Sequence, residues 1–397
     1  HAAGTRAAVS HTGALVGDDD VFHAALRRAG VVRAYTIKQL FSAAEILSSR
    51  KYRVNGNRLA IVTNGGGPGV MAADRAAEMD VSLPDLSPQT LQALNAALPA
   101  HWSHGNPVDI LGDAGPERYQ QAVSLCLSDP GIDGVLVMLT PQAMTKPLAA
   151  AEATIEASEA SEKPVLTCWM GKGLVDPGRA LFGQHQLAHF DTPEASVEAF
   201  SFLASYHSNQ ELLMQTPGPF GRSSEPDVEG AQLIIEGVLA EGRTQLSELE
   251  SKAILMAFGV PVVETVEATT ASQALVVAES IGFPLVMKIN SPDITHKTDV
   301  NGVRLNIQTA GAIRTTFNEL IADVKAKRPD ATITGVTLQS MVRHPHGRET
   351  MVGVVRDPVF GPAISFGAGG TTVEVMHDSF VSLPPLNRFI AGQTIER

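Results

Sequence analysis

His11 is the residue of this chain whose type and surroundings best suit a chemical reaction, and it lies in the run Ser10-His11-Thr12-Gly13-Ala14-Leu15-Val16-Gly17. Its small neighbours leave room for a reacting group, and the two glycines allow the backbone to come close to a ligand. A neutral imidazole can act as a nucleophile. The alternative is a polar histidine beside a helix N-cap, with no chemical role. The run by itself leaves both interpretations open.

A glycine-rich loop forms a second candidate site, directly after the apolar run Leu59-Ala60-Ile61-Val62-Thr63. The loop reads Asn64-Gly65-Gly66-Gly67-Pro68-Gly69 and leads into a predicted helix. Where a strand, a glycine loop and a helix follow one another, free backbone N–H groups and the positive end of the helix dipole point at one spot. Such a loop can hold a phosphate without a charged side chain. The alternative is a tight turn that only connects a strand to a helix.

Lys288 is a third candidate, because it lies near the end of the apolar run Phe283-Pro284-Leu285-Val286-Met287-Lys288-Ile289. A lysine in such a strand is costly unless its ammonium group reaches an anion or extends into solvent. A polar loop over residues 291–303 follows the strand and contains His296. The lysine and the loop together favour an anion-binding site at the end of this strand.

An alternating pattern in the first half of the chain supplies the elements that must position these residues. Short apolar runs bounded by Gly or Pro predict buried parallel strands, and apolar residues at helical spacing predict helices between them. The predicted strands cover 59–63, 134–139 and 164–169, and the predicted helices cover 21–28, 37–49, 116–127, 146–160 and 193–206. The alternation predicts a doubly wound α/β fold.

Two loops at strand ends, residues 104–109 and 140–142, hold polar side chains. Open α/β sheets place ligand groups at such strand ends. For the Asn-Pro-Val-Asp run that begins at Asn106, the alternative is an Asx turn. We assign no catalytic role to His104.

A change of composition at Gln215 marks a domain boundary, since Pro, Gly, Ser and charged residues indicate an exposed linker, which we place at 215–235. Beyond it, the sequence predicts helices at 246–258 and 271–281 and, from an apolar run, a strand at 283–289.

The composition excludes several classes of protein. With 30 Lys+Arg against 42 Asp+Glu, the net charge of −12 argues against a broad nucleic-acid-binding face. The chain has no apolar run of the roughly 18 residues that a transmembrane helix needs. Two cysteines are too few for a disulfide framework or a zinc site. We therefore expect a multi-domain cytoplasmic enzyme with no membrane partner and, because the chain begins at His1, an excised fragment.

The run at Ser10–Gly17, the glycine loop, and Lys288 with its polar loop occur in one order, which resembles that of the NDP-forming (ADP-forming) acyl-CoA synthetases, relatives of succinyl-CoA synthetase. The resemblance implies flavodoxin-like doubly wound α/β domains followed by an ATP-grasp domain, whose sheet would include strands at 335–342, 347–357 and 363–370. It divides the chain into the C-terminal part of a ligase domain at 1–54, a flavodoxin-like ligase domain at 55–214, a linker at 215–235 and an incomplete ATP-grasp domain at 236–397.

The resemblance also implies roles for single residues. His11 would carry a phosphoryl group, and His296, on the polar loop, would pass it to the nucleotide. The glycines of the loop, Gly65, Gly66 and Gly67, would hold the phosphate on His11. The residues expected at the nucleotide are Lys288, Gln339, Met341, Glu349, Gly367, Gly369 and Gly370, with Glu374 as a further acid. Where the family usually has two glycines in the polar loop, this chain has Asn301-Gly302, and asparagine tolerates left-handed backbone angles.

The implied activity interconverts acyl-CoA, ADP and phosphate with carboxylic acid, CoA and ATP. Its cofactors would be ATP/ADP, Mg²⁺ and CoA, with the CoA domain and the magnesium ligands expected outside this chain, and the enzyme would be a homo-oligomer. The acyl group and the choice between adenine and guanine nucleotides stay open. A different class of function is also open, because Leu383-Pro384-Pro385-Leu386-Asn387 resembles the synthetase-like region of GNAT-type protein lysine acetyltransferases. A ligand-binding module without catalysis is a third possibility.

Overall fold

The computed structural model describes residues 18–48, 54–215, 225–294, 296–344, 346–370 and 379–396. The chain divides into two units: His1–Gly218 with Thr350–Arg397 form the first, and Pro219–Glu349 form the second. No helix among the described residues is long and apolar enough to cross a membrane.

A parallel sheet lies at the centre of the first unit and runs in the order β2-β1-β3-β4-β5. Its strands are β1 Leu59–Thr63, β2 Val108–Asp109, β3 Gly134–Leu139, β4 Val165–Trp169 and β5 Ala188–His189. Every residue of β1, β3 and β4 is buried, which explains why these three strands appear in the sequence as continuous apolar runs. The two short edge strands contain two residues each, too few to show a period, and they were not predicted.

Helices pack around this sheet and bury two apolar clusters. They are α2 Ile37–Ser48, α3 Gly66–Glu78, α4 Pro88–Ala97, α5 Pro116–Ser128, α6 Pro147–Glu159, α7 Asp176–Gln184 and α8 Pro193–Met214, and helix α1 Asp19–Arg28 precedes them in the chain. The doubly wound α/β prediction is confirmed. Cys126 and Cys168 lie in these clusters, where burial raises the pKa of each thiol to about 12, so both are inert.

Helix α8 extends beyond the predicted end at residue 206 because its last turns have tertiary partners. The side chains of Asn209 and Gln210 donate to the backbone oxygens of Val31 and Gly30, at 3.0 and 2.8 Å. Those oxygens belong to the segment that leaves α1. Contacts between residues so distant in the sequence are invisible to a periodicity argument.

The second unit is built on an antiparallel sheet in the order β6-β9-β7-β8. Its strands are β6 Thr265–Ala268, β7 Leu285–Asn290, β8 Val303–Ile307 and β9 Gly335–Ser340, and its helices are α9 Val228–Ala240, α10 Glu248–Ala257, α11 Ala271–Ile281 and α12 Ala310–Lys327. Helices α11 and α12 bury apolar side chains against the sheet. Helix α9 begins inside the linker predicted at 215–235, because Asp227 caps it by accepting from the N–H of Gly230 at 2.9 Å.

An antiparallel sheet of three strands follows, and it belongs to the first unit. It consists of β10 Thr350–Asp357, β11 Gly361–Ala368 and β12 Ser379–Ser382, with α13 Arg388–Glu396 beside it. Helix α1 packs here: the N–H of Asp18 donates to Asp357 at 3.2 Å, and the guanidinium of Arg27 lies 4.7 Å from the ring centre of Phe380. Asp357 and Phe380, which the sequence assigned to the segment 236–397, thus contact residues at and just before helix α1.

The side chain of Asn106 completes the hydrogen bonding of β1 where the short strand β2 does not reach. Its amide oxygen accepts from the N–H of Ile61 at 3.0 Å, and its amide nitrogen donates to the oxygens of Leu59 and Pro84 at 2.9 and 3.2 Å. One side chain therefore replaces the backbone partners of a missing strand segment. This role is structural, but it is not the Asx turn raised as the alternative, because the partners of Asn106 lie 22 to 47 residues away in the sequence.

We predict that Asn106→Ala lowers the free energy of unfolding by about 2–3 kcal/mol, because three backbone groups beside a buried strand lose their partner. Asn57→Ala is the matched control, since Asn57 makes one exposed bond to the oxygen of Asp80 at 2.7 Å and should cost less than about 1 kcal/mol. Urea unfolding of both variants measures the difference. Equal losses would show that Asn106 does not support β1.

Candidate functional site

The glycine loop lies where the strand order of the parallel sheet reverses. From β1 the chain passes to the edge strand β2, and then returns to the other side of β1 to form β3. Asn64 and Thr140, the residues that follow β1 and β3, are joined by two hydrogen bonds: the Asn64 amide donates to the oxygen of Thr140 at 2.9 Å and accepts from its N–H at 2.7 Å. Reversal points of this kind are where open α/β sheets bind ligands.

Thr63 and the first turn of α3 determine which N–H groups face outward from the loop. The hydroxyl of Thr63 accepts from the N–H of Gly65 at 3.1 Å and donates to its carbonyl oxygen at 3.0 Å, so Gly65 is fully engaged as the N-cap. Pro68 has no N–H. The N–H groups of Gly66 and Gly67 are therefore the first-turn donors that a helix leaves without intrahelical partners.

The three loop glycines differ in the space around them. A Cβ atom on Gly65 would lie 2.9 Å from the hydroxyl of Thr140, so this hydroxyl would have to move. On Gly66 it would lie 3.4 Å from Asp109 Oδ2, and on Gly67 it would meet nothing within 4 Å. Gly65 is thus the most closely packed of the three, whereas Gly66 and Gly67 have more space at their Cβ positions. A phosphate can occupy that space and be held by the helix N-terminus.

Polar side chains border the same spot. Asp109 Oδ1 accepts from the N–H of Leu111 at 2.9 Å, which orients the carboxylate, and Oδ2 is the oxygen nearest to Gly66. The hydroxyl of Thr140 is buried and has no partner among the described residues. The site offers N–H and O–H donors for an anion and a carboxylate acceptor beside them. His11, the residue predicted to carry the phosphate, lies outside the described residues, as does Glu374.

The second site is a cluster of three lysines around Glu248 at one end of the antiparallel sheet. The ammonium groups of Lys288 and Lys252 lie 2.7 and 3.3 Å from Glu248 Oε1, and that of Lys297 lies 3.2 Å from Oε2. Each of the four side chains is 16 to 23 % exposed. Lys288, which was predicted to bind an anion, thus pairs with the carboxylate of Glu248 in this structure.

Neutral oxygens complete this cluster. Gln339 Oε1 accepts from Lys252 at 3.0 Å and from Lys288 at 3.1 Å, and the hydroxyl of Thr265 accepts from Lys252 at 2.6 Å. The lysine cluster therefore connects helix α10 to strands β6, β7 and β9. Lys288 and Gln339, two residues predicted at the nucleotide, are brought together.

The charges of the lysines dominate the ionisation of Glu248. Burial of the carboxylate would raise its pKa, but the hydrogen bonds and positive charges of Lys288 and Lys297 lower it to about 2. Because the folded pKa is below the ordinary value of 4.5, these ion pairs stabilise the fold above about pH 4.5, and the stabilisation is lost as the pH falls toward 2. Glu248 is a full anion at neutral pH.

Three members of the cluster were not singled out from the sequence. Glu248 and Lys252 stand four residues apart at the start of α10, a spacing that places both side chains on one face of a helix. Lys297 lies in the polar loop, next to His296. The spacing of Glu248 and Lys252 was a usable signal, but only the fold brings Lys297 to them.

His296 is exposed and directly precedes a packed turn. In this turn the N–H of Gly302 donates to the oxygen of Lys297 at 2.7 Å, and the carbonyl of Gly302 accepts from Ile289 of β7 at 2.8 Å. Asn301 has a φ of 58°, as its tolerance of left-handed angles allows. A Cβ on Gly302 would lie 2.7 Å from Ile289 Cγ2, so glycine is required there. Residues 297–302 are therefore fixed to the sheet.

The other residues predicted at the nucleotide lie apart from this cluster or in the other unit. The N–H of Met341 donates to the oxygen of Pro284 at 3.0 Å, in the segment that leaves β9. Glu349 is exposed at the end of the second unit. The remaining three, Gly367, Gly369 and Gly370, belong to the first unit, at the end of β11 and just after it.

Among the residues that the structure describes, no group of three or more His, Cys, Asp or Glu side chains could hold a metal ion.

Three family models match the chain along its length. A succinyl-CoA ligase-like flavodoxin domain matches residues 1–47, a Ligase-CoA domain matches 59–206, and an ATP-grasp domain matches 237–397. These ranges lie inside the segments proposed from the sequence. The lysine cluster falls in the ATP-grasp match, and the glycine loop falls in the Ligase-CoA match.

Similar proteins are acid–CoA ligases. An ADP-forming acetate–CoA ligase I of Archaeoglobus fulgidus is 38% identical over 394 residues, which cover 99% of this chain and 55% of that protein. The β subunit of acetate–CoA ligase II of Pyrococcus furiosus is 44% identical over 162 residues, which cover 41% of this chain and 68% of that subunit. A solved acetyl-coenzyme A synthetase 1 from Ca. Korarchaeum cryptofilum, in complex with phosphate and ADP, has 29% identity and a TM-score of 0.49, over 54% of this chain and 46% of that one.

The chain spans about half the length of the full-length curated relatives that it matches from end to end. The β-subunit relative, in contrast, is matched over more than two thirds of its length at high identity. The α/β fold with a parallel sheet agrees with this relationship. On these grounds, the chain belongs to the family of ADP-forming acetyl-CoA synthetases.

Proposed function

We propose that this chain performs the phosphoryl-transfer part of an ADP-forming acyl-CoA synthetase. In this reaction acyl-CoA and phosphate give acyl phosphate and CoA, His11 takes the phosphoryl group and releases the carboxylic acid, and His296 passes the group to ADP, giving ATP. Every step is reversible. The lysine cluster around Glu248 is the observation that carries the proposal, because it is a ready site for nucleotide phosphates.

The residues of the two sites act on phosphate by different means. At the cluster, the ammonium groups of Lys252, Lys288 and Lys297 compensate the charge of the nucleotide phosphates and of the transferring group. At the loop, the N–H groups of Gly66 and Gly67 hold the phosphoryl group on His11 through backbone dipoles. Mg²⁺ would add charge compensation to the nucleotide, and no residue described here is assigned to it.

Acetate is the acid that the comparisons favour, since the similar proteins include acetate–CoA ligases over almost the whole chain. A 4-hydroxybutyrate–CoA ligase of Nitrosopumilus maritimus, 30% identical, shows that the acyl group varies in the family. The acetyltransferase alternative has no support from these relatives. We further infer an oligomeric enzyme, because the Pyrococcus furiosus relatives are divided into α and β subunits.

The first test concerns Lys288. We predict that Lys288→Gln raises the Kd for ADP by about 10- to 100-fold, because a hydrogen bond to a charged group contributes about 1.5–3 kcal/mol. Isothermal titration calorimetry on the whole chain measures it. Lys325→Gln is the control, since Lys325 is exposed on α12 and carries the same charge. Equal ADP affinity in all three proteins would remove the nucleotide from this cluster.

The second test concerns Gly66. We predict that Gly66→Val lowers the yield of acid-labile phosphohistidine from ATP at least about tenfold, because a branched side chain blocks the approach of an anion to the helix N-terminus. ADP affinity should stay unchanged. Gly311→Val is the control, because Gly311 lies in the first turn of α12 with nothing within 4 Å of its Cβ position. If nucleotide affinity fell along with phosphorylation, the two sites would not be separate.

The third test concerns His296. We predict that His296→Ala stops phosphoryl transfer between nucleotide and His11 and leaves the Kd for ADP within about twofold, because a carrier contributes to the rate and little to the bound ground state. A phosphotransfer assay beside calorimetry separates the two effects, with exposed His101→Ala as control. Unchanged transfer in His296→Ala would leave a relay with a single histidine.

A further inference from the structure

Glu248 is a charged residue of the cluster for which the proposed function gives no task. It is the first residue of α10, and its carboxylate contacts three ammonium groups at 2.7 to 3.3 Å. Three lysines against one glutamate leave a formal charge of +2 on these four side chains. The N-terminus of α10 adds positive potential at the same place. The cluster therefore attracts more negative charge than Glu248 supplies.

The three lysines depend on Glu248 to different degrees. Lys252 and Lys288 also donate to Gln339 Oε1, at 3.0 and 3.1 Å. Among the residues that the structure describes, Lys297 contacts Glu248 as its anionic partner, at 3.2 Å. If the carboxylate turned away, Lys252 and Lys288 would stay attached to β9, whereas Lys297 would lose its ion pair. Lys297 is thus the member whose surroundings change most when Glu248 moves.

Lys297 also connects the cluster to His296. Its backbone is held in the packed turn of residues 297–302, while its side chain reaches the cluster. Neighbouring Cα atoms are about 3.8 Å apart, so the backbone of His296 cannot move far from this anchor. The ion pair of Lys297 therefore influences the position of the exposed imidazole that precedes it.

We propose that Glu248 is an internal counter-ion that a nucleotide phosphate replaces, and that this exchange transfers Lys297 from carboxylate to phosphate and so orders His296 beside the nucleotide. A phosphate group carries more negative charge and more acceptor oxygens than one carboxylate, so it can contact all three ammonium groups together. The inference rests on the proposed function, since it takes ADP to be the ligand of the cluster. Glu248 is a positioning residue, because it acts through the lysines.

The test is Glu248→Gln in the whole chain, with calorimetric titration of ADP. Glutamine keeps the shape of the side chain and removes the charge that competes with phosphate, so we expect the Kd for ADP to fall about tenfold. Glu279→Gln, an exposed change of equal charge on α11, should leave the Kd unchanged. A purely structural role for Glu248 gives the opposite sign, because lysines that have lost their organiser bind ADP more weakly. A Kd that rises or stays equal overturns the inference.

Hydrogen–deuterium exchange over residues 296–302 gives a second readout. Without nucleotide, this peptide should exchange faster in Glu248→Gln than in the wild type, because Lys297 has lost its ion pair. Addition of ADP should restore the protection in the variant, because phosphate takes the place of the carboxylate. Protection that ADP does not restore shows that Lys297 does not meet the nucleotide, and this outcome overturns the inference.

Two further outcomes separate this inference from the proposed function. ADP binding that Lys288→Gln abolishes, together with weaker binding in Glu248→Gln, overturns the inference alone. Absence of ADP binding in the wild-type chain overturns both. If Glu248→Gln fails to fold, Lys297→Gln carries the test: its Kd for ADP should rise about tenfold, and an unchanged Kd contradicts the exchange.

Discussion

The lysine cluster of the second unit depends on one carboxylate. Without Glu248, three ammonium groups would stand close together at partly buried positions, where like charges about 4 Å apart repel by roughly 4 kcal/mol at an effective dielectric constant of about 20. Glu248 removes this repulsion and joins helix α10 to strand β7 through Lys288. Gln339 and Thr265 then link the same lysines to β9 and β6. The geometry suited to a phosphate is thus maintained by an anion of the protein itself.

The first unit handles negative charge in another way, because its candidate site contains no lysine or arginine among the residues identified. Gly66 and Gly67 offer N–H groups at the start of α3, and Asp109 brings a carboxylate to the border of the site. Backbone dipoles attract a phosphoryl group without binding it as firmly as three full charges. Under the proposed function, the phosphoryl group must arrive and leave again, which suits backbone dipoles. The nucleotide would stay bound through the transfer, which suits the full charges of the lysine cluster.

The helices and strands were predicted well where burial leaves a pattern of apolar residues in the sequence. They were predicted less well where an element is held by residues far away in the sequence. The strands β1, β3 and β4 were placed correctly, because strands covered on both faces leave continuous apolar runs. Helix α8 was predicted too short, since its last turns are held by backbone groups near Gly30. The packing of residues after 350 against α1 could not be predicted, because contacts across more than three hundred residues leave no local signal.

The same distinction applies to the candidate sites. The glycine loop and Lys288 were found because glycines after a strand and a lysine within an apolar run are locally unusual. The partners of Lys288 escaped notice because a glutamate and a lysine at the start of a helix look like an ordinary exposed pair. Only the fold shows that Glu248 serves three lysines and that Lys297 belongs to this set. Local sequence thus reveals residues that are unusual in their surroundings, such as the loop glycines and Lys288. Residues such as Glu248 and Lys297 look ordinary in the sequence, and their ion pairs become visible only in the folded structure.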